Sequence, residues 1–261
     1  MTTSDPHTPS SLVAVIGGTG MNQWPGLSIE RWLVLDTPYG APSAPLVLGR
    51  VGSIPVLFLA RHGEGHKLPP HAINYRANLW ALHHAGVRTI VAIAAVGAIA
   101  EWFAPGAIAI PEDLIDYTWG RAHTYSDGRD GSALRHVEFT QPYAMRVRAA
   151  LQAAADSAGV AVAGAGVMAV TQGPRLESAA EIRRLARDGA DMVGMTGMPE
   201  AALAAELGID YACLAVSVNW AAGVKGLGSI HAEIEQSIET GMRKVRAVLS
   251  EVLPMLSTAT G

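Results

Sequence analysis

The chain has 261 residues, with 49% hydrophobic and 16% charged side chains and a formal net charge of −4. This composition excludes an intrinsically disordered chain and, with no run of Lys and Arg, a nucleic-acid-binding surface. The single cysteine, Cys213, excludes an internal disulfide framework, and no apolar run approaches the roughly 18 residues of a membrane span, so we expect a cytoplasmic protein without membrane or nucleic-acid partners.

The two ends of the chain differ in character from the rest. Residues 1–10 are polar, lack the apolar core of a signal peptide and are expected to form a flexible tail. No Pro-, Gly- or Ser-rich linker divides the remaining chain, so we predict one domain over residues 11–255 and a second short tail over residues 256–261.

Apolar runs and helical patterns alternate along the chain. The predicted strands cover residues 12–16, 46–51, 56–59, 89–95, 108–110, 167–170, 192–195 and 211–218. The predicted helices cover residues 75–84, 143–158, 199–207 and 230–253, with a further helix opened by the capping box Ser178-Ala-Ala-Glu181. This alternation predicts an α/β sandwich whose ligands gather at the carboxyl ends of the strands.

Two strand ends carry groups suited to an anion. The run Val13-Ala-Val-Ile-Gly-Gly-Thr-Gly20 ends in a glycine turn with one hydroxyl, and Leu59-Ala-Arg-His-Gly63 ends in an arginine and a histidine. Glycines allow backbone N–H groups to approach an oxyanion closely, and arginine supplies a fixed fork of donors. If the two ends meet in space, the chain binds phosphate.

A dinucleotide-binding fold is an alternative reading of the first strand, its glycines and the later Asp36. The G-x-G-x-x-G pattern fails because Gln23 occupies the third glycine position. The segment Asn22-Gln-Trp-Pro-Gly26 is also unsuited to the crossover helix that this fold requires. The glycine turn therefore favours a free phosphate over a nicotinamide cofactor.

Five segments carry a family resemblance. They are Ile16-Gly-Gly-Thr-Gly20, Leu59-Ala-Arg-His-Gly63, Asn74-Tyr-Arg-Ala-Asn78, Gln172-Gly-Pro-Arg-Leu-Glu-Ser178 and Gly194-Met-Thr-Gly-Met-Pro-Glu200. In this order, over residues 12–253, they resemble the trimeric purine nucleoside phosphorylases, including the methylthioadenosine and methylthioinosine branches. The resemblance implies a single-domain α/β sandwich with a mixed, largely parallel twisted sheet, a homotrimer, and phosphorolysis of a purine nucleoside with orthophosphate as co-substrate and neither cofactor nor metal.

Residue roles follow from the resemblance by position. It implies a phosphate site formed by Thr19, Arg61, His62, Thr196 and the backbone N–H of Ala95. Of these, His62 is also expected to take part in catalysis.

The resemblance places the substrate on a second group of residues. It implies that Met195 lies under the ribose and that Leu176 is a further substrate contact. Asn219 matches the position that binds purine N7, and Glu177 matches the position that pairs with N1–H, so both are expected to be catalytic.

The expected base is a 6-oxopurine. The adenosine-type methylthio branch has aspartates at the positions of Asn219 and Ala221, and neither carboxylate is present here, whereas Glu177 is. A site that pairs one donor and acceptor pattern can reject the other by about 10⁴-fold. We therefore predict hypoxanthine or guanine rather than adenine.

Two histidines bear on which 5′ substituent of the sugar the chain is expected to bind. The tracts 219–225 and 230–234 are most similar to the methylthioinosine branch, and His136 matches a histidine that a neighbouring subunit supplies to the 5′ end. His231, however, falls where ordinary 6-oxopurine phosphorylases bind the 5′-hydroxyl. The leading hypothesis is a 5′-methylthioinosine phosphorylase, and the alternative is a general inosine/guanosine phosphorylase.

A function of another class is a nucleoside-binding protein without turnover. Ala94 stands where related chains often carry a polar side chain near the phosphate, which is the one feature that favours this alternative.

Overall fold

The computed structural model describes residues 12–21, 24–128, 134–225 and 230–258, the last range without the side chains of residues 230–233. The strands in these ranges are β1 (Leu12–Gly17), β2 (Ser28–Leu33), β3 (Leu46–Val51), β4 (Ile54–Ala60), β5 (Val87–Ala98), β6 (Ile108–Ala109), β7 (Asp113–Asp116), β8 (Val167–Val170), β9 (Met192–Gly194) and β10 (Asp210–Trp220). The helices are α1 (Tyr75–His84), α2 (Met145–Ser157), α3 (Ala179–Arg187), α4 (Gly197–Glu206) and α5 (Ile230–Thr258).

The strands form one mixed sheet in the order β2-β3-β4-β1-β5-β9-β8-β7, which confirms the predicted α/β fold class. The pairs β1–β4, β1–β5, β5–β10, β7–β8 and β8–β9 are parallel. The pairs β2–β3, β3–β4, β5–β9 and β6–β10 are antiparallel.

The sheet forks at β5. Strand β10 pairs with almost the whole of β5, whereas β9 pairs only with its last residues, Gly97 and Ala98. The carboxyl ends of β1, β5, β9 and β10 therefore come together around the end of one strand. This fork is where ligand-binding residues at the strand ends can meet.

Helices cover both faces of the sheet. The buried side chains of α1 and α4 pack on one face, and those of α2 and α5 pack on the other. Strands β1 and β10 are buried almost throughout because both of their faces are covered, which explains their continuous apolar runs. No helix in the described part of the chain combines the length and the apolarity that crossing a bilayer requires.

Two strands were not predicted. Strands β2 and β7 lie at the two ends of the sheet order, and both mix charged with apolar residues. Such edge strands lack the apolar signature of a buried strand. After β1 the described residues continue into β2 without a helix, so the dinucleotide-binding alternative is wrong.

The last helix is longer than predicted. Helix α5 continues to Thr258, so residues 256–258, expected to belong to a flexible tail, are helical. The side chain of Leu256 is 3% exposed and packs with the α2 and α5 side of the core, which explains why the helix continues.

The packing of α5 on β10 depends on Gly241. A Cβ atom at this position would lie 2.2 Å from Cγ1 of Val216, whose β-branched side chain has little rotamer freedom. Helix propensity alone predicts that Gly241→Ala stabilises the fold by about 1 kcal/mol. We expect the opposite, a loss of about 1–3 kcal/mol, because overpacking of a rigid core outweighs propensity.

Urea denaturation of Gly241→Ala, Val216→Ala and the double variant measures this effect. The double variant is expected to lose less stability than the two single variants lose together, since Val216→Ala removes the atom that clashes. A stabilising Gly241→Ala would contradict the packing argument.

Candidate active site

A cavity of about 610 Å³ opens at the fork of the sheet. Nine residues proposed from the sequence line it: Thr19, Arg61, His62, Ala95, Leu176, Glu177, Met195, Thr196 and Asn219. They come from the ends of β1, β4, β5, β9 and β10 and from the loop after β8. Segments that lie up to two hundred residues apart in the chain thus share one cavity.

Arg61 is 1% exposed and forms part of the cavity wall. Its Nε and Nη2 atoms each donate to Glu200 at 2.7 Å, and Nη1 donates to the Ile93 carbonyl at 2.9 Å. These bonds use three of the five N–H groups of a guanidinium. The other two, one on each Nη atom, have no protein partner among the described residues and remain available to a ligand.

Glu200 balances the charge of this arginine. It is fully buried and also accepts a hydrogen bond from the Tyr211 hydroxyl at 2.8 Å. Burial alone would lower the pKa of Arg61, but the charge and hydrogen bonds of Glu200 outweigh burial and raise it above the usual value. The guanidinium is therefore a permanent cation in the cavity wall.

The glycine turn after β1 lies directly against this cation. A Cβ atom at Gly18 would lie 2.6 Å from the Ile93 carbonyl oxygen and 2.9 Å from Nη1 of Arg61. A side chain at this position would therefore displace the guanidinium. Glycine allows Thr19 and Arg61 to line the same end of the cavity, as expected for an anion site.

Thr196 lines the same cavity. It is 9% exposed, follows β9 and precedes α4, and its side chain makes no capping hydrogen bond to the helix. Its hydroxyl is therefore not committed to the helix start. Ala95, near the end of β5, lines the same cavity.

His62 is held as a neutral imidazole. Its Nδ1 lies 2.8 Å from the Leu68 carbonyl, which fixes the proton on Nδ1 and leaves Nε2 as an acceptor. Burial, with the nearby charge of Arg61, lowers the pKa of His62 to about 4. At neutral pH the residue therefore adds no charge to the ligand-free cavity.

The other end of the cavity carries an amide and a carboxylate. The Asn219 side chain is 8% exposed, and its Nδ2 donates to the Trp220 carbonyl at 2.7 Å. This bond fixes the orientation of the amide and leaves Oδ1 free to accept. Glu177 accepts a hydrogen bond from the Thr171 hydroxyl at 2.5 Å. The two side chains can thus recognise the donors and acceptors of a heterocycle.

Met195 and Leu176 supply apolar surface to the cavity. A Cβ atom at Gly173 would lie 2.5 Å from Sδ of Met195, so the loop after β8 packs closely on this methionine. Leu176 is 52% exposed although it lines the cavity, which places it at the opening.

Two predicted residues are not among those that line the cavity in the described part of the chain. His136 is exposed, in the loop that precedes α2. The side chain of His231 lies outside the described residues. Among the residues described, no three His, Cys, Asp or Glu side chains are grouped so that they could hold a metal ion.

Arg121 was missed by the sequence analysis. Its guanidinium donates to the carbonyls of Met195 at 2.9 Å, Met198 at 2.6 Å, Thr171 at 3.2 Å and Gln172 at 2.8 Å. It thereby connects the loop after β8 with the loop after β9, which carry Glu177 and Thr196. A single arginine in a polar loop gives no sequence signal for such a role.

Two isoleucines of α5 add apolar surface to the cavity. Ile234 and Ile238 follow the apolar periodicity of α5, and both also line the cavity. Ile238 lies beside the glycine turn, since a Cβ atom at Gly20 would be 2.7 Å from its Cγ2. The cavity therefore has an apolar wall next to this turn.

The ion pair of Arg61 with Glu200 gives a testable stability prediction. Glu200→Gln keeps the shape of the side chain but leaves a buried cation without its counter-charge, so we expect a loss of about 3–5 kcal/mol. Tyr211→Phe is the matched control, because it removes only the hydroxyl that donates a hydrogen bond to the same carboxylate. This variant is expected to cost about 1 kcal/mol. Equal losses in chemical denaturation would show that the charge is unimportant.

The comparisons with known proteins agree with this geometry. The family model described as "Phosphorylase superfamily" matches residues 12–254. A probable S-methyl-5′-thioinosine phosphorylase of Pseudomonas syringae pv. tomato is 51% identical over 243 residues, which cover 93% of this chain and 98% of the relative. The 6-oxopurine nucleoside phosphorylase of Pyrococcus furiosus is 40% identical over 248 residues, which cover 94% and 92% of the two chains.

A solved structure shows the same fold. Methylthioadenosine phosphorylase from Schistosoma mansoni, in complex with adenine, superposes with a TM-score of 0.88 at 29% identity and covers 96% of this chain and 93% of its own. The resemblance identified in the sequence is thus confirmed. Over residues 12–254, this chain belongs to the phosphorylase superfamily, and it is an enzyme of the purine nucleoside phosphorylase type.

Proposed function

We propose that this enzyme cleaves the N-glycosidic bond of a 6-oxopurine nucleoside with orthophosphate, and that S-methyl-5′-thioinosine is its substrate. The products are hypoxanthine and 5-methylthioribose 1-phosphate. The observation that carries the proposal is that one cavity joins a cationic end, with Arg61 and Thr19, to an end with Glu177 and Asn219. Orthophosphate is a co-substrate in this scheme, and no further cofactor takes part.

Phosphate is assigned to the end with Arg61, Thr19, Thr196, His62 and the N–H of Ala95. The free N–H groups of Arg61 suit a tetrahedral anion, and their donors are already fixed by Glu200 and the Ile93 carbonyl. A neutral His62 can accept the proton of a hydrogen phosphate or of a sugar hydroxyl through Nε2. This end is thus organised before the substrate binds.

The purine is assigned to Asn219 and Glu177. As the glycosidic bond breaks, positive charge develops on the sugar and negative charge on the leaving purine. The phosphate anion stabilises the former, and Asn219 can stabilise the latter at N7 and O6. Met195 supports the ribose, and Leu176 closes the opening. Rate enhancement then comes from positioning and preorganised electrostatics rather than from a covalent intermediate.

The thiomethyl group is favoured over a 5′-hydroxyl by the apolar wall of the cavity. Ile234 and Ile238 line the cavity, Ile238 beside the turn that carries Thr19, and burial of an apolar substituent against them is favourable by roughly 0.8 kcal/mol for each CH₂. Two relatives that are named probable S-methyl-5′-thioinosine phosphorylases, at 51% and 52% identity, support the same substrate. A general inosine/guanosine phosphorylase remains the second candidate, because His231 can serve a 5′-hydroxyl and the Pyrococcus furiosus relative is named for 6-oxopurine nucleosides.

A homotrimer is part of the proposal. His136 is exposed and is absent from the cavity lining of its own chain, as a residue supplied to a neighbouring subunit would be. In this arrangement His136 reaches the 5′ end of the nucleoside that the neighbouring subunit binds.

The proposed reaction is tested by hypoxanthine release from S-methyl-5′-thioinosine with and without phosphate. We expect release only with phosphate and a kcat/KM at least about 10-fold higher for S-methyl-5′-thioinosine than for inosine, an amount that one or two buried methyl groups can supply. Arg61→Met, which removes the cation, is the matched inactive control.

Three outcomes would contradict the proposal in different ways. Release without phosphate would indicate hydrolysis, and no release from either nucleoside would favour a binding protein. A ratio below one would favour the general inosine/guanosine phosphorylase.

The role of Asn219 in binding the purine is tested by replacing its amide, which can donate, with a carboxylate, which only accepts. Asn219→Asp removes the amide donor to O6 and offers an acceptor to a 6-amino group, so we expect the preference for 6-oxo over 6-amino nucleosides to fall about 10–100-fold. Asn219→Ala is the control and is expected to impair both substrates. An unchanged ratio of kcat/KM values in Asn219→Asp would disprove this role.

A further inference from the structure

We propose that Thr171 is a positioning residue that orients the Glu177 carboxylate, and thereby sets the preference for 6-oxopurines; this inference rests on the proposed function. Thr171 is absent from the lining of the main cavity. It lines a second cavity of about 290 Å³ on the other side of Glu177, and the glutamate forms a wall of both. Thr171 thus holds the glutamate from the side away from the substrate.

The hydroxyl of Thr171 has one proton and two possible acceptors. Its Oγ1 lies 2.5 Å from Oε1 of Glu177 and 3.4 Å from the Gly194 carbonyl oxygen. The shorter contact is the geometry of a hydroxyl that donates to a carboxylate. The contact therefore holds Oε1 of Glu177 at the Thr171 hydroxyl.

The backbone of Thr171 is fixed on both sides. Its N–H donates to the Gly194 carbonyl at 2.9 Å, and its carbonyl accepts from Nη2 of Arg121 at 3.2 Å. The hydroxyl therefore starts from a rigid position and can fix the direction of the Glu177 carboxylate. Oε2 of Glu177 is left for the substrate side.

Arg175, the cation nearest to Glu177 in sequence, does not hold the Glu177 carboxylate in place of Thr171. Arg175 forms two hydrogen bonds with Glu181, at 2.8 Å and 2.7 Å, on the exposed side of the loop. Among the described residues, Arg175 makes no hydrogen bond to the Glu177 carboxylate, whose one hydrogen-bond partner there is the Thr171 hydroxyl.

The direction of the Glu177 carboxylate decides which base can bind. An acceptor-only carboxylate pairs with the N1–H of a 6-oxopurine and opposes the N1 lone pair of a 6-aminopurine. By orienting this carboxylate, Thr171 selects between the two bases although it does not contact the base.

The test uses Thr171→Val, which has nearly the same shape and lacks the hydroxyl, with Thr171→Ser as the conservative variant. We expect Thr171→Val to lower kcat/KM for S-methyl-5′-thioinosine at least about 10-fold, the effect of a lost hydrogen bond to a charged group. The 6-amino nucleoside is not expected to lose activity, so the 6-oxo to 6-amino ratio falls by a similar factor. Thr171→Ser is expected to stay within about threefold of the wild type.

A double-mutant cycle separates this role from a structural one. In a Glu177→Gln background, Thr171→Val is expected to change kcat/KM less than about threefold, because no carboxylate remains to be held. Equal losses in both backgrounds, or an unchanged base ratio, would overturn the role of Thr171 while leaving the phosphorylase assignment intact. Wild-type enzyme without phosphate-dependent release would overturn both, and a fully active Glu177→Gln would overturn the base contact on which the inference depends.

Discussion

The buried ion pair of Arg61 and Glu200 is the interaction on which the cationic wall of the cavity depends. A guanidinium that is 1% exposed cannot be left without a counter-charge, and Glu200 supplies it through two parallel hydrogen bonds. The pair also joins distant parts of the chain, because Arg61 follows β4, Glu200 belongs to α4 and Tyr211, which donates to Glu200, belongs to β10. The same contacts that stabilise the fold therefore hold a cation at the cavity wall.

A second buried arginine serves the other half of the site in a different way. Arg121 is 7% exposed and donates to backbone carbonyls, with no carboxylate among its hydrogen-bond partners in the described part of the chain. Burial lowers its pKa from the usual value, but the residue still lies far into the cationic range that an arginine retains in proteins. Arg61 offers spare donors to the cavity, whereas Arg121 uses its donors to connect the loops that shape it.

Much of the fold was predictable because its central strands are buried on both faces. Strands β1, β5 and β10 were recognised from continuous apolar runs, and α1 was predicted with the bounds that the structure shows. Strands β2 and β7 were missed because they mix charged with apolar residues and lack a continuous apolar run, as edge strands allow. The end of α5 was set too early because the burial of Leu256, which lies beyond the predicted end, depends on contact with the rest of the core.

Some residues of the site were likewise predicted from the sequence, and others were not. Thr19, Arg61, His62 and Asn219 were proposed because each follows an apolar strand, and the structure places them in one cavity. The roles of Glu200, Thr171 and Arg121 were not predicted, because the partners that define these roles lie in separate segments of the chain.

The sequence by itself determined the central strands, the glycine turn and the family, since apolar periodicity and local motifs are encoded by neighbouring residues. Only the tertiary structure decided that Arg61 pairs with Glu200, that Arg121 binds carbonyls and that Thr171 holds Glu177. Such partners are chosen by where burial and hydrogen bonding bring separate elements together. That choice is made over distances of up to 139 residues along the chain, which no local pattern records.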